Sequence, residues 1–547
     1  MICLGLDINH LTNQPQAVGM SYRILITDPV DSVCTDLIES AGMVADVQLG
    51  RSDEALIELA RNADGWIIRS GTKIAARHLV HADKLKLIAR AGVGVDNVDV
   101  PAATRRGIIV VNAPDGNTIS TAEHTCGMLI ALSRHIPQGH VSLQAGMWDR
   151  KRFTGQELQG KTLGIIGLGK IGMAVAERMR AFGMNVIAFD PVVQPKVAEE
   201  RGIESVSLET LYAESDFITV HTPLNSATRG LLNADTFAKC KPGVRVVNCA
   251  RGGIVEEGDI LPALNSGQLG GIALDVYAVE PPPQSLSEVI AHPNVVVTPH
   301  LAASTTEAQV KVAEHVTREM IRFFETGIVQ TPVNAFALAM AARPEAQPYL
   351  SLVGTLASCA AQLTDDPMRE ITISTVGEKV RRYQDVIKIG ALRGVLSRTQ
   401  DRAVNLINAE AIAEDNGLVV RVETRASEGP YGELIQVIIG MTGGAVSVTG
   451  TLIGGAPRLV EINGYRMEVV PEGTMLLYEN EDRPGMLATV GRLLADAAIN
   501  IGALSLGRTA RGGKALALVT TDDVIPEHVL DNIASIDGVT RARIIQQ

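Results

Sequence analysis

KTLGIIGLGKIGMAVAERMRAFGMNVIAFDP, residues 161–191, decides how the rest of the chain is read. An apolar run from Leu163 to Ile166 breaks at Gly167, Gly169 and Gly172. Apolar residues at helical spacing then lead through Val175, Met179 and Phe182 to a second apolar run that stops at Asp190. That order spells strand, turn, helix, strand. Gly167 permits the tight turn, Gly169 lets the backbone approach a pyrophosphate, and Gly172 lets helix and strand pack closely. The free amides at the helix start then face the diphosphate. Asp190, at the tip of the second strand, can accept hydrogen bonds from a ribose diol and repels a 2′-phosphate, so the pattern points to NAD rather than NADP. Spaced glycines also occur in ordinary packed turns, but here strand, spacing and terminal acid agree.

Upstream, from Arg23, strand-like runs (RILITD, ADGWIIRS, LKLIARAG, IIVVNAP) alternate with helix-like ones (DSVCTDLIESAG, DEALIELARNA), the rhythm of a small parallel α/β domain. Arg69 and Ser70 follow one strand, and Arg90 with AGVGVDNVD follows another. Ligands of open α/β sheets bind at the carboxyl ends of strands, so two arginines there point to an anionic substrate; surface ion pairs are the plainer reading. GNTISTAEHTCGMLIALSRHIP, with Ser120 and Thr121 available for capping, reads as a long helix connecting to the dinucleotide-binding domain.

Downstream of Asp190 four more strands end in polar clusters: Thr222 and Pro223, then Ala250 and Arg251, then Asp275 with Glu280, then His300. Polar side chains delivered to one edge of a sheet that holds a nicotinamide cofactor make an active site. Hydride removal from a 2-hydroxy acid needs a base for the hydroxyl proton, and His300 is suited because imidazole titrates close to neutrality. Glu280 can hold that imidazole and favour its cation, and Arg251 offers a guanidinium fork to the substrate carboxylate or carbonyl oxygen.

At 547 residues the chain has room for roughly three or four domains. Charged residues make up 20% and the net charge is −12, with no basic run, which argues against nucleic acid or a polybasic membrane surface as partner. The six cysteines are scattered without a CxxC pair or a metal-ligand cluster, so neither disulfides nor a metal site is expected, and a reducing, cytoplasmic setting is. No apolar run is long enough to span a membrane, and the first twenty residues lack the form of a signal peptide. Residues 1–19 read as an extension or a misplaced start, expected to be poorly ordered.

VVNCARGGIVEE, ALDVYAVEPP and TPHLAAST, with GLGKIG and FDP, resemble the NAD-dependent D-isomer-specific 2-hydroxyacid dehydrogenases, and IRSGTKI and ARAGVGVDNVD resemble that family's substrate loops. The resemblance covers about residues 21–335. It implies Arg251 and Glu280 as catalytic residues and His300 as proton donor or acceptor. It also implies NAD contacts at Lys170, Ile171, Asp190, Thr222, Cys249, Ala250, Arg251, Asp275 and the backbone after His300, at Ala302 and Ala303. Arg69, Ser70, Arg90, Gly92 and Val93 fall in the substrate loops, and Arg134 resembles an arginine that reaches a neighbouring subunit's site, which presumes a dimer. The implied fold is a Rossmann-like doubly wound sheet (118–301) inserted into a smaller flavodoxin-like α/β domain (21–117 and 302–335), with closure over the substrate.

Two further blocks follow. Residues 336–472 begin with an alanine-rich helical run and turn to strands, and GTLIGGAPRLVEINGYRMEVVP resembles the α+β intervening, allosteric substrate-binding domain of the family's long members. In DRAVNLINAE, Arg402, Asn405 and Asn408 suit either an anion site or a helix cap with surface polar residues. Residues 473–547 follow the ferredoxin-like βαββαβ order and resemble an ACT domain. Asn480, Asp482 and Asn500 flank its first helix as candidate effector contacts. The implied effector is L-serine, with a purely oligomerising role as the other reading. For such a long member the implied reaction is oxidation of D-3-phosphoglycerate to 3-phosphohydroxypyruvate with NAD, the first step of L-serine biosynthesis, in a homodimer or homotetramer. A hydroxypyruvate or glyoxylate reductase and an NAD-sensing corepressor are the alternatives. The arginines suit a phosphorylated dianion, and neither alternative has a use for two folded tail domains.

Overall fold

The computed structural model describes residues 21–400, 403–426 and 430–547, so expectations for residues 1–19 and for Arg402 lie outside the described residues. The first sheet holds β1 (Arg23–Ile26), β2 (Val44–Val47), β3 (Gly65–Ile68), β4 (Leu87–Arg90) and β5 (Ile109–Asn112). Its strands are all parallel, in the flavodoxin-like order β2-β1-β3-β4-β5. Ile24, Ile26, Ile67 and Leu87 have no exposed surface, as expected where helices cover both faces of a parallel sheet. One covering helix, Thr306–Thr326, comes from far along the chain. It lays Val312, Val316 and Met320 on that core, and a Cβ at Gly65 would lie 2.5 Å from the Met320 sulfur.

The second sheet holds β6 (Thr162–Ile166), β7 (Asn185–Phe189), β8 (Glu204–Ser205), β9 (Phe217–Val220), β10 (Val244–Asn248), β11 (Leu269–Leu274) and β12 (Val295–Val297). It is parallel throughout, in the order β8-β7-β6-β9-β10-β11-β12. The order reverses between β6 and β9, which opens a crevice at the carboxyl ends of these strands. The chain enters this domain through the helix Thr118–Arg134 and leaves it before Thr306. Ser120 and Thr305 hydroxyls meet at 2.7 Å, so the two crossings lie side by side as one hinge. Ser120 therefore does not cap the helix, and neither does Thr121. The helix begins two residues earlier, behind Asn117, which makes no side-chain cap bond.

Past the helix Thr306–Thr326 the chain runs along the exposed edge of β5. Buried Glu319 accepts the amides of Gln330 (2.6 Å) and Thr331 (3.1 Å), Val333 donates to the Val110 carbonyl (2.7 Å), and Asn334 accepts from the Val110 amide (2.8 Å). The alanine-rich run that follows is two helices, Phe336–Ala341 and Gln347–Gln362, separated around Pro344, where the preceding residue is pushed out of helical geometry.

The third sheet holds β13 (Met368–Val376), β14 (Val419–Arg425), β15 (Leu434–Met441), β16 (Gly444–Ile453), β17 (Ala456–Ile462) and β18 (Tyr465–Val469) in the order β14-β13-β15-β16-β17-β18; only the β13/β14 pair is parallel. The helix Gln347–Gln362 is buried between this sheet, the helix Gln384–Leu396 and the last domain. A Cβ at Gly394 would come within 2.7 Å of Ala357, so the two helices pack nearly backbone to backbone. Asn405 and Asn408 bind their own loop, and Asn405 Nδ2 also donates to the Gly107 carbonyl at 3.2 Å, fixing this domain against the first. Asn405 Oδ1 caps the turn ahead of the helix Ala409–Asp415 by accepting the Ile407 and Asn408 amides, whereas Asn408, at the N-cap position, is buried and makes no side-chain cap bond.

The fourth sheet holds β19 (Thr474–Glu481), β20 (Ile501–Arg508), β21 (Lys514–Thr521) and β22 (Val539–Gln546), antiparallel in the order β20-β21-β19-β22, with two helices on one face. This is the ferredoxin-like arrangement. Met475, Leu477, Leu518 and Ile545 on its other face join the core of the preceding domain. Among the described residues five cysteines are free and buried, no group of side chains has metal-binding geometry, and no helix is long and apolar enough to cross a membrane.

Candidate active site

The glycine turn after β6 is built for a close-lying anion. Gly167 has φ 95°, a left-handed conformation costly for a side chain, and a Cβ there would meet the His221 carbonyl at 2.5 Å. A Cβ at Gly172 would lie 2.1 Å from the Gly167 carbonyl, whereas Gly169 faces open space. Gly169 precedes the helix Lys170–Ala181 without a side-chain cap, so the first amides are left for a ligand. Asp190 folds back on the turn, accepting from the amides of Leu168 (2.8 Å), Val192 (2.8 Å) and Val193 (3.0 Å). Burial alone would raise its pKa, but these three donors hold the carboxyl below its usual range. Thr222 Oγ1, at the end of β9, is buried without a partner, a polar atom that a bound cofactor would satisfy. Open space at Gly169, uncapped amides and an orphaned hydroxyl together fit NAD. Lys170 reaches out of this turn to Asp115 on the hinge.

Arg251, Glu280 and His300 leave the ends of β10, β11 and β12. His300 Nδ1 lies 2.8 Å from Glu280 Oε2, and Glu280 Oε1 accepts the Tyr277 amide at 3.2 Å. With Nδ1 engaged by a carboxylate, the ring presents Nε2 as its proton-accepting atom. His300 itself has φ 56°, a strained conformation for a non-glycine residue that the surroundings must enforce. Asp275 is the main cause. Fully buried, it takes the Leu301 amide (2.7 Å), the Ala302 amide (2.9 Å) and Thr298 Oγ1 (2.6 Å), and His124 Nε2 lies 3.3 Å away. Burial opposes the charge, but these donors prevail and lower its pKa. Asp275, read from sequence as a cofactor contact, thus also holds the turn that presents His300. Cys249 is buried, and burial pushes its thiol up, so it is no nucleophile. A Cβ at Gly252 would sit 1.9 Å from the Tyr277 carbonyl, so the loop carrying Arg251 is pressed against the loop leading to Glu280.

Across the crevice the first sheet supplies arginines. Arg90 is largely buried, its Nε has no partner, and burial followed by the like charges of Arg251 and Arg69 pushes its guanidinium down to about 10. Three guanidinium groups drawn together against repulsion describe a site for an anion. Gly92 folds so tightly over Arg90 that a Cβ would overlap the guanidinium, and Asn112 Nδ2 holds the Val93 carbonyl at 2.6 Å. The loop with Arg69 and Ser70 is set by Asp28, which accepts from the Arg69 amide (2.6 Å) and the Thr72 amide (3.0 Å). Asn97 then ties the two loops together, donating to the Arg69 and Thr72 carbonyls at 2.6 Å each. Asp28, Asn97, Asn112 and His124 carry no sequence signal of their own. Their roles come from partners in other elements.

Arg134 is exposed at the far end of its 17-residue helix, about 25 Å from the hinge at 1.5 Å per residue. It does not join its own chain's arginine cluster. The three ACT candidates are also separated. Asn480 aligns with Ala515 and Asn500 precedes Ile501, which aligns with Thr521, so the register puts them at opposite ends of the sheet, about 20 Å apart. Asp482 is taken up by Arg508 (3.0 Å) and the Gly512 amide (3.1 Å), Asn500 donates to Asp522 (2.6 Å), and Asn480 Oδ1 is buried without a partner.

Residues 126–302 match the family model of the D-isomer specific 2-hydroxyacid dehydrogenase NAD binding domain, residues 345–463 that of the D-3-phosphoglycerate dehydrogenase intervening domain, and residues 474–538 that of the ACT domain. D-3-phosphoglycerate dehydrogenase of Methanocaldococcus jannaschii is 38% identical over 524 residues, covering 96% of this chain and 99% of that protein. The chain belongs to the D-3-phosphoglycerate dehydrogenase family. The human family member is 40% identical over 488 residues, covering 88% of this chain and 91% of its own. A NAD+-bound 3-phosphoglycerate dehydrogenase of Entamoeba histolytica superposes on 58% of this chain and all of its own with a TM-score of 0.50 at 27% identity. As a member of this family the chain is a NAD-dependent dehydrogenase, with NAD as its cofactor.

Proposed function

We propose that the chain oxidises D-3-phosphoglycerate to 3-phosphohydroxypyruvate, the entry step of L-serine synthesis, at the crevice between its first two sheets. The observation that carries this reading is Arg90, partly buried, with a covered and unpartnered Nε and with Arg251 and Arg69 close enough to depress its pKa. Such a cluster suits a substrate carrying both carboxylate and phosphate. Bound NAD supplies the hydride acceptor. His300 Nε2 takes the proton of the substrate hydroxyl, and Glu280, on Nδ1, fixes the tautomer and stabilises the imidazolium. Arg251 holds the carboxylate or the developing carbonyl oxygen, and Arg69 and Arg90 with the Ser70, Gly92 and Val93 backbone receive the phosphate end.

The reading extends to assembly in the cytoplasm. Ile136, Val141, Leu143, Met147 and Trp148, all more than half exposed, follow Arg134 and form an apolar face suited to a second copy. A dimer through this face brings Arg134 to the neighbouring arginine cluster. The separation of Asn480 from Asn500 similarly means that an L-serine site needs two ACT domains side by side, which leads to a tetramer. The test mixes the protein with NAD+ and D-3-phosphoglycerate and follows NADH, with and without millimolar L-serine. NADH formation that serine suppresses is the expected result. No NADH with this substrate overturns the assignment, and turnover indifferent to serine leaves the ACT domains with a purely assembling role.

A further inference from the structure

Asp96 lies on the loop after β4, in the first domain, and Arg251 on the loop after β10, in the second. They meet across the crevice: Arg251 Nε donates to Asp96 Oδ2 at 3.1 Å. The pair is partly exposed, with Asp96 73% accessible, so as a stabilising ion pair it is worth little. Its interest is geometric. Arg251 Nη1 donates to the Ala250 carbonyl at 2.7 Å, and Asn248 Nδ2 holds the Arg251 carbonyl at 2.9 Å. With Nε and one Nη1 hydrogen committed, the guanidinium plane is fixed and three N–H groups remain for a substrate.

The partner is equally constrained. Asn97 is clamped at 2.6 Å to two carbonyls of the Arg69 loop, Val98 bridges Ile74, and Asp99 caps the helix Val100–Arg105 by accepting the Ala102 amide at 3.0 Å. Asp96 is therefore presented by a rigid segment. Gly94 completes the fit: a Cβ there would lie 2.2 Å from Arg251 Nη2 and 2.9 Å from Asp96 Oδ2, so the loop backbone passes directly beside the pair.

We propose that Asp96 is the positioning residue of the reaction, orienting the Arg251 guanidinium for the substrate through a contact that exists only when the two domains close. This rests on the reading of Arg251 as the substrate anchor. Closure brings Asp96 to Nε and sets the guanidinium beside the Gly94 backbone; when the domains part, Arg251 loses that restraint. The carboxylate also counters the crowding of Arg251, Arg69 and Arg90 before an anionic substrate arrives.

The test is a double-mutant cycle on the full-length protein, with Asp96→Asn, Arg251→Lys and the combination. It is run with whichever 2-oxo acid the wild type reduces fastest, so that a failed substrate assignment leaves this test intact. Misplacement of a binding group by about 1 Å can cost on the order of 100-fold. Asp96→Asn is expected to lower kcat/KM for the oxo acid by about 10- to 100-fold, with the NADH dissociation constant within twofold of wild type. Asp96→Glu should restore part of the loss. In the Arg251→Lys background, which has no guanidinium to orient, the same Asp96→Asn change should cost less than twofold. An equal loss in both backgrounds, or Asp96→Asn within twofold of wild type, overturns the proposal.

Discussion

Arg251→Ala lowers kcat/KM for the oxo acid by about 10²- to 10³-fold or more, the range found when one charge-stabilising donor is removed from a catalytic site. The dissociation constant for NADH changes little. The reason for the split is positional. Arg251 stands on the substrate side of the crevice, paired with Asp96 of the first domain, whereas the pyrophosphate turn is built from Gly167 to Gly172 and held by Asp190. Fluorescence titration with NADH and initial rates in both directions measure the two quantities separately. Near-normal turnover would show that the anchor lies elsewhere, and lost NADH affinity would show that Arg251 serves the cofactor.

His300→Gln costs about 10²- to 10⁴-fold in kcat, the usual worth of general acid–base catalysis. Glutamine can still donate toward Glu280 and roughly fills the space of imidazole, so the protein should fold and bind NADH. What it cannot do is accept the hydroxyl proton. A loss below threefold would mean that the proton goes to another group.

Much of this was legible in the chain itself, for identifiable reasons. The succession of strands and helices in the second domain follows from local signals, namely apolar runs of strand length, glycines at fixed offsets and polar residues at strand ends, while the spatial order β8-β7-β6-β9-β10-β11-β12 agrees with the doubly wound sheet that the family resemblance implied. Arg251 and His300 could be found because each lies three residues past such a run, and Glu280 because it lies in the loop six residues past β11. Asp28, Asn97, Asn112 and His124 could not, since a polar residue at the end of a strand gives no hint that it will clamp a carbonyl or carboxylate in another element. The same limit explains the misplaced features. Ser120 read as a cap because capping residues look alike in sequence, but its hydroxyl meets Thr305 at the second crossing of the hinge, 185 residues away. Asn480 and Asn500 flank the helix Met486–Asp496 as read, but their placement at opposite ends of the sheet is set by a strand register that the sequence does not show. The hold of Asp275 on the backbone under His300 was not legible either, since nothing in the sequence shows that its carboxylate takes the amides of Leu301 and Ala302.

The arginine cluster is proposed to select a phosphorylated acid for the His300–Glu280 pair to act on. This selection is tested most directly by comparing kcat/KM for NADH-dependent reduction of 3-phosphohydroxypyruvate, hydroxypyruvate and glyoxylate under identical conditions. A preference for the phosphorylated acid of at least about 100-fold is expected, since losing charge-assisted hydrogen bonds to a phosphate leaves buried guanidinium unpaired. Equal or better use of the unphosphorylated acids would contradict the account and make the chain a hydroxypyruvate or glyoxylate reductase.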